Sequence, residues 1–245
     1  MSSFVAETSR RLPRGWAHLA FQFLIWMGFY VAYQVARGAA DRDVSVAFDN
    51  GEWIIRTQQQ LGTLFEPTLQ RFVDGSSLMV TLTSYTYWLS QFAVVGLTLL
   101  WVYFKHHERF AGFRNWLIVA NLVGLVGYVL VPTAPPRMFP DYFTDTLAQY
   151  SSVNHESGLI AWGSNPYAAM PSLHAMDALI VGIVMFGLVR SKLAKALWLA
   201  WPAWVSFAVI STGNHYWLDV AAGFVLALVT GYALSRLHQL RLRRA

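Results

Sequence analysis

Asn165-Pro-Tyr-Ala-Ala-Met-Pro-Ser-Leu-His174 ends in a hydroxyl and an imidazole two residues apart, and it opens an apolar run over 172–189. About forty residues on, Ser211-Thr-Gly-Asn-His-Tyr-Trp-Leu-Asp219 opens a second run, over 215–235. Pro132-Thr-Ala-Pro-Pro-Arg137 closes a third run, over 115–131, and supplies one arginine. Polar, reactive side chains thus sit at the mouths of hydrophobic helices. That pattern fits a polytopic all-α membrane protein, and the rest of the chain follows it.

Outward from these pieces, further apolar runs cover 17–36, 78–104 and 196–211, making six spans. A run of about twenty apolar residues crosses ~30 Å of hydrocarbon as a helix. The composition agrees: 56% of residues are hydrophobic and 13% are charged, against about 25% charged in soluble domains. The 16% aromatic content, with 11 Trp, suits interfacial belts. A cleaved signal peptide is the competing reading of the first run, but its apolar core exceeds the usual ~7–15 residues. Pro202 is expected to kink the fifth span. Residues 37–77 alternate acidic and apolar positions at near-helical spacing. They read either as amphipathic helices on the extracytoplasmic membrane surface or as a packed extramembrane cap, with Pro67 starting or bending one helix. Residues 132–170 form a loop too long to be a simple connector. With no cysteine, disulfides and thiolate metal sites are excluded. The net charge of +5 lies between apolar runs rather than on a solvated face, so no nucleic-acid partner is expected.

Basic residues set the orientation. Residues 1–16, 105–114, 190–195 and the tail hold 13 of the 18 Lys and Arg. Six spans with both termini cytoplasmic satisfy the positive-inside rule at every loop. Arg137, Ser172, His174, His215 and Asp219 then all fall on the extracytoplasmic side. His106 and His107 fall on the opposite side from His174 and His215, which argues against a haem or metal centre built on histidines. Cysteine-free composition, compact size and richness in Ala, Arg and Leu point to a bacterial plasma membrane, with a Golgi-type membrane as the alternative.

His215 and Asp219 are four apart at a helix start and share one face. A carboxylate on one imidazole nitrogen leaves the other available for attack; the alternative is a pair that only ties helices together. Pro171 suits a first helical turn. The helix start at Ser172 is an anion site in outline, and His174 could protonate a leaving oxygen. A capping serine with an interfacial histidine explains the same residues. Arg137 is the sole Lys or Arg of its loop and could clamp phosphate with its planar fork; it could equally snorkel to headgroups. Asp177, three residues after His174, could tune that histidine, bind an acceptor hydroxyl, or pair with a Ser, Thr or Tyr on a neighbouring helix.

Pro171-Ser-Leu-His174 and Gly213-Asn-His-Tyr-Trp-Leu-Asp219 resemble the second and third signatures of the type 2 phosphatidic acid phosphatase superfamily. Pro-Ser-Leu-His, Gly-Asn-His and Thr-Ala-Pro-Pro-Arg137 are similar to its aureobasidin-resistance branch, which includes inositol phosphorylceramide synthase. The resemblance implies that His215 is a nucleophile forming phosphohistidine, oriented by Asp219, and that His174 is the acid and then the base. It implies that Arg137, Ser172, Gly213 and Asn214 hold phosphate oxygens and that no metal or other cofactor is needed. Two superfamily cations are absent: their positions are Leu130 and Val209. Arg42, Arg56 or Arg71 of the outer segment could fold over the site in compensation.

The expected function is therefore a single integral-membrane domain over 1–245 that hydrolyses a lipid phosphate at the extracytoplasmic face. Its partner is the membrane lipid substrate. The alternative is a phosphotransferase that moves a headgroup phosphate, such as inositol phosphate, to an alcohol acceptor. A non-enzymatic lipid transporter or scaffold on the same frame is a third reading.

Overall fold

The structure is a computed structural model, and it describes residues 13–39, 44–150 and 165–243. Among these the chain is helical, with one isolated parallel bridge between Thr133 and Ala168. The helices are α1 (Gly15–Ala39), α2 (Val44–Gln60), α3 (Glu66–Asp74), α4 (Ser77–Leu89), α5 (Val95–Lys105), α6 (His107–Leu130), α7 (Thr146–Tyr150), α8 (Leu173–Leu188), α9 (Lys192–Ser211) and α10 (Trp217–Leu242). A π-helical turn over Ser90–Val94 joins α4 to α5, so the two run as one long helix.

Five segments are long and apolar enough to cross a membrane: Gly15–Ala36, Ser77–Lys105, His107–Leu130, Lys192–Ser211 and Trp217–Leu242. The chain is an integral membrane protein. Three of these helices extend past their apolar runs, beginning at His107 and Lys192 and ending at Leu242. Polar residues at a helix end continue the backbone ladder while leaving the apolar pattern, so a run marks less than the whole helix. The remaining run forms α8, which has 16 residues. At 1.5 Å per residue it is about 24 Å long, short of the ~30 Å hydrocarbon core.

Helix α8 is the centre of the bundle. It packs on α5 and the π turn, α6, α9 and α10. Ala175, Met176, Ile180 and Val181 are fully buried, while Ile183 and Phe186 towards its far end are exposed. Small residues permit the approach. A Cβ on Gly223 of α10 would lie 2.3 Å from the Ser172 carbonyl oxygen, and one on Gly182 would lie 2.8 Å from the Trp198 carbonyl oxygen. Pro202 lies within α9 without ending it. Large apolar side chains such as Leu24, Leu97, Leu130 and Leu199 point outward and are more than half exposed. Such a band is covered by lipid, not water. At the end of the bundle where α5 meets α6, Arg114 donates to the Gln22 side chain, and His18 Nδ1 meets the Tyr103 hydroxyl at 3.0 Å, tying α1 to α5 and α6.

At the other end, α2 buries Ala47, Gly51, Ile54, Ile55 and Gln58, one helical face. That face packs against Ala134, Phe139, Phe143 and Tyr216. The Ala134 N–H donates to the Ala47 carbonyl, and the Asn50 amide donates to the Pro132 carbonyl. Helices α2 and α3 thus sit as a packed cap on the Pro-rich loop, and Pro67 lies in the first turn of α3.

Candidate active site

The turn between α9 and α10 carries the densest set of polar residues. Gly213 has φ +72°, and the N–H groups of Asn214 and His215 both donate to the Val209 carbonyl. A side chain at Gly213 would be strained by that φ and would also meet Gln70, Thr144 and Arg137. Tyr216 follows as the α10 cap, with its N–H donating to Asp219 Oδ2 at 2.9 Å. The Asp219 carbonyl in turn accepts the Ser172 N–H at 2.9 Å, which joins the starts of α8 and α10. Ser172 itself is fully buried, and its Oγ accepts the Ala175 N–H, capping α8.

His215 is held from a loop. Its Nδ1 lies 2.8 Å from the Ala169 carbonyl oxygen and 3.5 Å from Asp219 Oδ2. A carbonyl only accepts, so Nδ1 carries the hydrogen and Nε2 is the basic nitrogen of the neutral ring. The closer anchor is therefore a backbone carbonyl, with Asp219 behind it. His174, in the first turn of α8, stacks on Tyr87 with ring centroids 4.5 Å apart. Its ring centroid is 5.9 Å from that of His215. Arg137 lies in a 3-10 turn, Pro136–Met138, that is docked on the same loop: its N–H donates to the Gly213 carbonyl and its Nη1 donates to Asn214 Oδ1 at 2.6 Å. Its Nε is 3.8 Å from Asp145 Oδ2.

Arg137, His174, Asn214 and His215 line one narrow cleft of about 30 Å³, with Tyr33, Tyr87, Gln91, Tyr128 and Asn165. An anion there would meet one guanidinium and two imidazoles. Ser172, Gly213 and Asp219 stand behind that wall and brace it. Arg56 pairs with Glu52 and Arg71 with Thr68, both on the exposed outer surface, so neither folds over the cleft; Arg42 lies outside the described residues. Asp177 is not in this cleft. It is buried between helices, accepting from Asn121 Nδ2 at 2.8 Å and, more weakly, from Gln91 Nε2 at 3.5 Å. Its partners are amides rather than a Ser, Thr or Tyr. It lines a second cavity of about 340 Å³, walled by Trp26, Phe29, Tyr30 and Phe92, that shares Tyr33 and Gln91 with the first. Among the described residues, no three His, Asp or Glu cluster to hold a metal.

Tyr33, Tyr87, Gln91 and Tyr128 are lining residues the sequence reading missed, because each sits in an apolar helical run with no local motif. Glu66 was missed too. It is fully buried at the start of α3, where its Oε1 accepts the Gln58 amide at 2.6 Å and the Trp217 N–H at 3.1 Å. It thereby caps the helix that carries Asp219. Burial raises its pKa from the ordinary glutamate value, against hydrogen bonds that lower it. With the folded value above the unfolded one, its contribution to stability is full below the unfolded pKa of about 4.5 and is lost as pH rises through the folded pKa. Glu66→Gln keeps an acceptor oxygen but does not titrate. The melting temperature of the variant relative to wild type is expected to climb as pH increases from about 4.5 to about 8. Parallel melting curves across that range would show that Glu66 carries no such linkage.

A family model described as the PAP2 superfamily matches residues 52–233, which takes in every residue of the cleft except Tyr33. No curated protein and no solved structure matches the chain. With a match over more than half its length, the chain belongs to the PAP2 superfamily of phosphatases and phosphotransferases.

Proposed function

We propose that this protein is an integral-membrane lipid-phosphate phosphatase working through a phosphohistidine. The observation that carries the reading is the convergence of Arg137, His174, Asn214 and His215 on one cleft, with His215 Nδ1 anchored by a carbonyl. His215 Nε2 attacks phosphorus and the bond to the lipid oxygen breaks, while His174 delivers its proton to that oxygen. Water then attacks the phosphohistidine, His174 takes a proton from it, the P–N bond breaks, and phosphate leaves. Arg137, held by Asn214, neutralises charge on the phosphoryl oxygens, and buried Ser172, Gly213 and Asp219 keep the wall in place.

In the membrane, we read α8 as the sixth span, shortened because its first turn lies at the depth of the cleft. On this reading, with the basic loops in the cytoplasm, both termini are cytoplasmic, the cleft is on the extracytoplasmic side of a bacterial plasma membrane, and α2 and α3 lie over it. A second reading draws on the adjoining cavity with Asp177 at its wall: phosphotransfer to an alcohol, as in the inositol phosphorylceramide synthase-like branch, uses the same first step with an alcohol in place of water.

Detergent-purified protein given phosphatidic acid, a polyprenyl diphosphate, phosphatidylglycerol phosphate or phosphatidylinositol, with and without inositol, tests this. Release of free phosphate from at least one lipid phosphate is expected. Lipid consumption without free phosphate, but with an acceptor-linked product, would replace hydrolysis by transfer.

A further inference from the structure

We infer that Asn165 is a neutral phosphoryl-oxygen ligand in this cleft, supplying hydrogen bonding where the chain lacks cations. The inference rests on the phosphoryl-transfer reading of the cleft given above. Asn165 lines the cleft beside Arg137, His174 and His215 and is only 3% exposed. Its Oδ1 accepts the Tyr167 N–H at 2.9 Å, and its backbone carbonyl accepts the Ala168 N–H. Because a backbone N–H must meet the amide oxygen, the orientation of the side chain is settled, and the NH2 group is turned the other way. That Nδ2 is buried and has no hydrogen-bond partner among the described residues. A buried amide donor left unpaired is costly, and a native site that keeps one commonly pairs it with a ligand.

The ligand must accept hydrogen bonds. Among the described residues Arg137 is the only Lys or Arg lining the cleft. A tetrahedral phosphoryl group brings three non-bridging oxygens, more than one guanidinium tied to Asn214 and Asp145 can serve. A fixed amide donor adds a contact without adding charge. It also acts on the group that every phosphate substrate shares, so it favours the phosphoryl oxyanion over any particular lipid chain.

The test compares Asn165→Asp and Asn165→Ala with wild type in detergent. The aspartate variant preserves the acceptor for the Tyr167 N–H, so the turn survives, but it replaces the donor by an acceptor. The alanine variant removes both. Two quantities are read: KM and kcat for phosphatidic acid, and the inhibition constant of orthovanadate, a bare tetrahedral oxyanion. Melting temperature monitors folding, and Arg137→Ala serves as the reference for loss of an oxyanion contact. Asn165→Ala is expected to weaken orthovanadate inhibition by about tenfold to a hundredfold, the range of a hydrogen bond to a charged group, and Asn165→Asp, which adds a like charge beside the oxyanion, by more. KM is expected to rise in parallel. Unchanged orthovanadate inhibition with a raised KM would assign Asn165 to the lipid headgroup instead and overturn the phosphoryl assignment. Unchanged values of both, in a protein whose wild type is inhibited by orthovanadate, would overturn the inference while leaving the cleft's function standing. A wild type that neither turns over lipid phosphates nor responds to orthovanadate would remove both.

Discussion

His215→Ala is expected to abolish turnover of every lipid phosphate that the wild type accepts, by at least about three orders of magnitude, as loss of a covalent nucleophile does. The reason is geometric. Nδ1 is committed to the Ala169 carbonyl at 2.8 Å, so the basic nitrogen of the ring is Nε2, and His215 is a wall residue of the cleft. His174 cannot take over, because it is stacked on Tyr87 and its ring centre lies 5.9 Å from that of His215. Quenched-flow trapping with radiolabelled substrate should recover an acid-labile, base-stable phosphoenzyme from wild type and none from the variant. Substantial residual turnover in His215→Ala would remove the phosphohistidine from the mechanism.

His174→Ala should cost about 10²–10⁴-fold, the span of a general acid–base group, and the loss should depend on the leaving group. A lipid alkoxide needs a proton as it departs, whereas p-nitrophenolate does not. With p-nitrophenyl phosphate the variant should therefore still phosphorylate His215 quickly and then stall, because the same residue must activate water. A burst of p-nitrophenol followed by slow turnover, with accumulated phosphoenzyme, is the expected signature. Equal losses for both substrates, with no burst, would give His174 a positioning role in place of proton transfer.

These two residues were legible in the chain because each carries a local signal: Ser172 caps the start of α8, with Pro171 one residue before the cap rather than in the first turn as the sequence suggested, and His215 and Asp219 lie four residues apart at the start of an apolar run. The outer segment was legible only to the point of two alternatives. Ala47, Gly51, Ile54, Ile55 and Gln58 have the spacing of one helical face, and that spacing is the same whether the face meets lipid or protein. The packing of Phe139, Phe143 and Tyr216 against it shows that this face meets protein. The apolar run over 172–189 overstates α8 by a residue at each end: Ser172 is its extended cap, and the backbone at Val189 has left the helix.

The amino-acid sequence by itself determined that the chain is a helical membrane protein, where its apolar helices lie, and which histidines and arginine its loops offer. Those properties depend on side-chain chemistry and on spacing within a turn or two, which a linear pattern records. Tertiary structure alone decided that the Ala169 carbonyl, rather than Asp219, is the nearest partner of His215 Nδ1, that Glu66 caps α10, and that Asp177 faces Asn121 and Gln91. These partners lie 46, 151, 56 and 86 residues apart in the chain. One is a backbone carbonyl, which every residue carries, and the others are single polar groups without local motifs. Only the packing of helices selects among so many equivalent donors and acceptors, because a buried polar group must find a partner wherever the fold brings one near.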